Sequence, residues 1–252
     1  MIFTSTGLMG DFVLTWPIAS WYYKQTGEKI TFVVPDAPWS KGINELTMMQ
    51  PFTENLIKIP YNITDYSRGG QPYKFNPADF GIKGEYLNLG YRDYPRENWI
   101  PYYMAEEYGL GVDLDYVINV EGKEGSTSDI VLNLPFLQTA EQKKIYNDCG
   151  KREWGHYMIS NYVPSRAINL IGKNGLYQDL VAMKNAQHTY VSESGLANII
   201  DLMHINCTIY YKEKHAHPGW WFEELYYRPG NLKRHFISIP ENNIEPQLDP
   251  VI

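Results

Sequence analysis

Three short stretches of this chain carry residue types that can do chemistry. The first is TSTGLMGDFVLTWP over residues 4–17. Met1, Ile2 and Phe3 read as a strand, Phe12 to Tyr23 read as a buried helix, and Gly7, Gly10 and Asp11 stand between the two. A carboxylate at a helix start is favoured by the helix dipole and can accept bonds from free N–H groups. The alternative is that the glycines bring a substrate up to the backbone and Asp11 acts on it as a base.

The second stretch is YVSESGLANIIDLM over residues 190–203, which reads as strand, tight turn and helix N-terminus. The N–H groups of Ser194, Gly195 and Leu196 project from such a turn and make a seat for an anion, a diphosphate in particular. Ser194 adds a hydroxyl, Gly195 lets the phosphate come close, and Glu193 can hold a ribose hydroxyl or orient the turn. The plainer reading is a helix cap. The third stretch is GKREW over 150–154. Lys151 and Arg152 precede a helix and can meet a phosphate from the opposite side, or lie solvated on the surface. His215 and His217 read as a loop, because two imidazoles without a third ligand nearby make a poor metal site.

The elements that must position these residues alternate along the chain. Strands are predicted at Met1–Thr6, 29–35, 55–61, 85–89, 129–136, 166–172, 189–192 and 207–212. Helices are predicted at 11–25, 40–49, 98–108, 154–162, 176–185 and 195–203, with Pro17 bending the first. Residues 62–84 read as a long loop, 113–120 as extended, and the tail from Arg228 as proline-rich with little periodicity. Such alternation predicts an α/β chain with parallel sheets. The stretch EGKEGSTS over 121–128 reads as a linker that divides it in two. Ligands of open α/β sheets bind at the C-terminal strand ends, which is where Asp11 would lie.

Composition narrows the function classes. At 252 residues and 44% hydrophobic, the chain can build one large domain or two small ones. A net charge of −7 argues against a broad electrostatic grip on nucleic acid. Two cysteines, Cys149 and Cys207, are too few for a disulfide framework. The N-terminus lacks the pattern of a secretory signal, and no run approaches the roughly 18 apolar residues of a membrane span. The expectation is a cytoplasmic protein.

Taken together, these stretches resemble the heptosyltransferase-like glycosyltransferases of the ADP-heptose:lipopolysaccharide type. GDFVLTWP over 10–17 resembles their opening GD-x-x-L-T-x-P, and IPYYMAEEYGLGVD over 100–113 resembles the segment that closes their first domain. REW at 152–154 resembles their phosphate-contacting K-x-W, with Arg152 in the Lys position. GKNGLYQDL (172–180) followed by SESGLANIIDLM (192–203) resembles their G-K-x-x-L-x-E-L and D-T/S-G-L-x-H-x-A-A-L, with Glu193 at the Asp and Asn198 at the His. All occur in the same order along nearly the whole chain.

The resemblance implies the GT-B architecture, two Rossmann-like domains with parallel sheets facing across a cleft. Residues 1–122 would form the acceptor side. Residues 123–252 would bind the nucleotide sugar and carry the C-terminal tail. It implies transfer of a hexosyl or heptosyl unit from a nucleotide-diphosphate sugar to the hydroxyl of a glycan or other acceptor, with Asp11 as general base and inversion at the anomeric carbon. Gly10, Lys151, Arg152, Glu193, Ser194, Gly195 and Leu196 would serve the donor, so that neither a metal nor a further cofactor is needed. Three rivals stay open: a hydrolase of nucleotide sugars, a non-catalytic binder of them on the same fold, and a transferase acting on modified DNA bases.

Overall fold

The structure, a computed structural model, describes residues 1–5, 9–36, 40–60, 77–89, 98–121, 130–132, 168–169, 176–192, 195–212, 229 and 234–239. The predicted helix at 154–162 lies outside them. Two parallel sheets organise the chain. The first contains β1 (Ile2–Thr4), β2 (Ile30–Pro35), β3 (Thr53–Ile59) and β4 (Tyr86–Asn88), in the order β3-β2-β1-β4. With it go α1 (Met9–Val13), α2 (Trp16–Thr26), α3 (Ser40–Met48) and α4 (Ile100–Glu106). The second contains β5 (Ile130–Leu132), β6 (Ile168–Asn169), β7 (Thr189–Ser192), β8 (Cys207–Lys212) and β9 (Arg234–Ile239), in the order β6-β5-β7-β8-β9. Its described helices are α5 (Leu176–Lys184) and α6 (Gly195–Leu202). The α/β class with parallel sheets is the one the alternation predicts.

Local chemistry explains most of the boundaries. The helix expected over 11–25 is two helices, because Pro17 has no N–H and its ring excludes a continuous turn before it. The break falls at Leu14–Thr15, where the Thr15 hydroxyl and N–H both donate to the Phe12 carbonyl at 2.7 and 3.0 Å. Pro17 then sits in the first turn of α2, where proline is tolerated. Gly27 closes α2 in the left-handed conformation, φ 73°, its N–H donating to the Tyr23 carbonyl at 2.8 Å.

Two expectations need correction. Residues 113–120 are not extended throughout: Leu114 and Asp115 form a turn, with Tyr116 N–H donating to the Asp113 carbonyl at 3.2 Å, and the segment crosses between the halves as irregular chain. The tail contains β9, which pairs in parallel with all six residues of β8, from Cys207↔Arg234 to Lys212↔Ile239. Pro229 precedes the strand in sequence, and the prolines at 240, 246 and 250 lie outside the described residues.

Phe32 on β2 stands at the centre of an edge-to-face cluster with Phe3, Phe12 and Phe52, ring centroids 5.4 to 6.1 Å apart. From there one buried cluster runs through α3 and α4 to Val191 of β7, Leu196, Ile199 and Ile200 of α6 and Ile209 of β8. Both sheets therefore contribute to a continuous core. The crossover segment is tied to the second half: Ile118 N–H donates to the Leu202 carbonyl at 3.0 Å, and Lys184 Nζ to the Val120 carbonyl at 2.8 Å. Buried Asp113 accepts from Ser20 Oγ and pairs with Lys24 at 2.7 Å, which fixes the start of the segment on α2. Among the described residues no helix is long and apolar enough to cross a membrane.

On β8, burial and the nearby Tyr190 phenol push the Tyr210 hydroxyl up to about 12. The neutral form is thus favoured more in the folded than in the unfolded chain. The resulting stability is complete below pH about 10 and is lost as pH rises through about 12. Between those values Tyr210→Phe is expected to lose less stability than the parent chain, by on the order of 2 kcal/mol, in urea titrations at matched pH. Parallel pH curves would remove the argument.

Candidate functional site

The site begins at the C-terminal end of β1. There Ser5 N–H donates to the Val33 carbonyl of β2 at 3.1 Å, and Leu89 N–H, just past β4, donates to the Thr4 carbonyl at 2.9 Å. In the first sheet the chain adds strands outward from β1 on one side and places β4 on the other. In the second it places β6 on one side of β5, and β7, β8 and β9 on the other. The order therefore reverses between β1 and β4 and between β5 and β7. Such reversals leave the crevice in which open α/β sheets bind ligands. In sequence β1 is followed by α1 with Asp11, and β7 is followed by α6, which begins at Gly195.

Asp11 lies in the first turn of α1 and is half-buried, whereas its neighbours Phe12 and Val13 are buried in the core. One residue advances a helix by about 100°, so burying Phe12 leaves Asp11 facing aside from the core. The helix α6 is apolar on most of its surface, with Leu196, Ala197, Ile199 and Ile200 all buried, which anchors its N-terminus in place. Its first turn packs against α1. A Cβ built on Gly195 would stand 2.5 Å from Gly10 N and 3.0 Å from Gly10 Cα. A Cβ built on Gly10 would stand 3.0 Å from Gly195 Cα and 2.9 Å from Asn198 Nδ2.

The structure thus brings Gly10, Asp11, Gly195 and Leu196 into one place, although they come from opposite halves of the chain. Lys151, Arg152, Glu193 and Ser194 lie outside the described residues, as do His215 and His217. Asn198, which stands where the resembling family has His, is buried and borders Gly10. Sequence reasoning missed the direct contact of the two glycines. The available signal was their position: each lies inside a helix with no left-handed φ, so conformational freedom does not account for them. Chemically, the arrangement sets the first turn of α1, which carries the half-buried Asp11, against the positive end of α6, and such an end attracts anions. Among the described residues no group of three His, Cys, Asp or Glu side chains is placed to hold a metal ion.

No protein-family model and no curated protein matches the chain. Solved structures do match it. The family 9 glycosyl transferase from Veillonella parvula superposes with a TM-score of 0.58 at 12% identity, over 96% of this chain and 86% of the other. The E. coli heptosyltransferase WaaC with ADP gives 0.54 at 12% identity, over 98% and 96% of the two chains. WaaC with ADP-2-deoxy-2-fluoro heptose gives 0.52 at 13%, over 97% and 95%. At these identities the likeness is one of fold, and along nearly its whole length the chain has the GT-B glycosyltransferase fold of these heptosyltransferases.

Proposed function

We propose that this protein is a glycosyltransferase that moves a hexosyl or heptosyl unit from a nucleoside-diphosphate sugar to an acceptor hydroxyl, with inversion and without a metal. The observation that carries this reading is the abutment of the first turn of α1, bearing Asp11, on the first turn of α6. Residues 1–122 present the acceptor and residues 123–252 the donor. Asp11 takes the proton of the acceptor hydroxyl as its oxygen bonds to the anomeric carbon. The bond from that carbon to the diphosphate oxygen breaks, and the nucleoside diphosphate leaves with the electron pair. The N–H groups of Ser194, Gly195 and Leu196 receive its charge, helped by Lys151 or Arg152, while Glu193 orients the ribose. The donor type is supported by the solved WaaC structures, which hold ADP and an ADP-fluoro-heptose.

The test is a thermal-shift series with nucleoside diphosphates and nucleotide sugars, followed by turnover. A ligand at about 100 times its Kd adds about 2.7 kcal/mol, so the matching nucleotide is expected to raise Tm by roughly 5–10 °C. Sugar transfer should then require acceptor and persist in EDTA. No shift with any nucleotide overturns the reading. Release of free sugar at full rate without acceptor makes the protein a hydrolase instead.

A further inference from the structure

Gly10 and Gly195 stand in helices, where glycine costs about 1 kcal/mol against alanine. Neither has a left-handed backbone, so neither is needed for its torsion angles. What both positions share is the absence of room. A methyl on Gly195 would press on backbone, Gly10 N at 2.5 Å and Gly10 Cα at 3.0 Å, and would touch Met9 Cε at 3.2 Å. A methyl on Gly10 would meet Gly195 Cα at 3.0 Å and the Asn198 amide at 2.9 Å, and only the amide can swing aside. Backbone therefore lies on backbone where the two halves meet.

We propose that the Gly10–Gly195 contact is a spacer that sets the distance between Asp11 and the N-terminus of α6, so that these glycines are positioning residues rather than phosphate contacts alone. This rests on the function proposed above. Asp11 adjoins Gly10, and Leu196 adjoins Gly195, so a methyl at either glycine parts the carboxylate from the N-terminus of α6. A displacement of about 1 Å in a reacting pair can cost about 100-fold in rate.

The experiment compares Gly10→Ala, Gly195→Ala and the double variant in the full chain. Gly195→Ala, whose nearest clashes are with backbone, is expected to lower Tm by several degrees and kcat at least tenfold. Gly10→Ala should do the same more weakly, and it serves if Gly195→Ala does not fold. Once one methyl has parted the helices the second has less to displace, so the double variant should lose less Tm than the two single losses combined. A rise in Tm in the single variants, as helix propensity alone dictates, overturns the spacer. A fall in Tm with kcat unchanged overturns its positioning role. A parent chain that transfers no sugar overturns the transferase reading, while the thermal comparison still decides whether the spacer exists.

Discussion

Replacing Asp11 by Asn is expected to lower kcat by about 10²- to 10⁴-fold, the usual contribution of a positioned general base. Affinity for the nucleoside diphosphate should stay within about threefold, because the donor seat lies on α6. The choice of Asn matters. At the third residue of α1, Asn keeps the size and polarity of Asp11 and loses only the charge–dipole term of about 0.3–1 kcal/mol. A capping role would therefore survive the substitution, and a basic role would not, since an amide cannot accept the acceptor proton. The half-buried position of Asp11 in the first turn of α1 permits either role, which is why turnover must decide. Steady-state kinetics with donor and acceptor in excess give the answer. Unchanged kcat in Asp11→Asn would make this carboxylate a cap and remove the mechanism.

The largest loss of stability should come from Gln50→Leu, which is expected to cost about 2–4 kcal/mol in urea unfolding. Gln50 follows α3, is 2% exposed, and uses both ends of its amide. Its Nε2 donates to the Leu46 carbonyl at 2.8 Å and to the Asn119 carbonyl at 3.2 Å. Its Oε1 accepts from the Tyr116 hydroxyl at 2.9 Å and from Asn119 N–H at 3.1 Å. Leucine fits the volume but leaves the buried Tyr116 hydroxyl without its partner, at about 1–3 kcal/mol, and removes the two part-buried bonds to Asn119 as well. Tyr116→Phe removes a single donor and should cost only about 1 kcal/mol. Equal stability of Gln50→Leu and the parent chain would mean that the amide merely fills space. The expected loss would instead make Gln50 the residue that holds the crossover on the first half.

Much of the chain could be read before any coordinates. The β-branched run at β2, the apolar periodicity of α5 and α6 and a disturbance of the first helix at Pro17 are set by interactions within a few residues, and such interactions are visible in sequence. So is the presence of an acid and two glycines after the first strand. The tertiary structure alone decided which strands are neighbours, and hence where the order of each sheet reverses beside Asp11 and the N-terminus of α6. It also decided that Gly10 meets Gly195 and that Ile118 bonds to Leu202. These pairings join residues far apart in the chain, and they form because both halves bury apolar faces in one core, an energy that no local pattern records. The tail strand makes the same point: Arg234–Ile239 carries weak local signals and becomes a strand because β8 offers it an open edge.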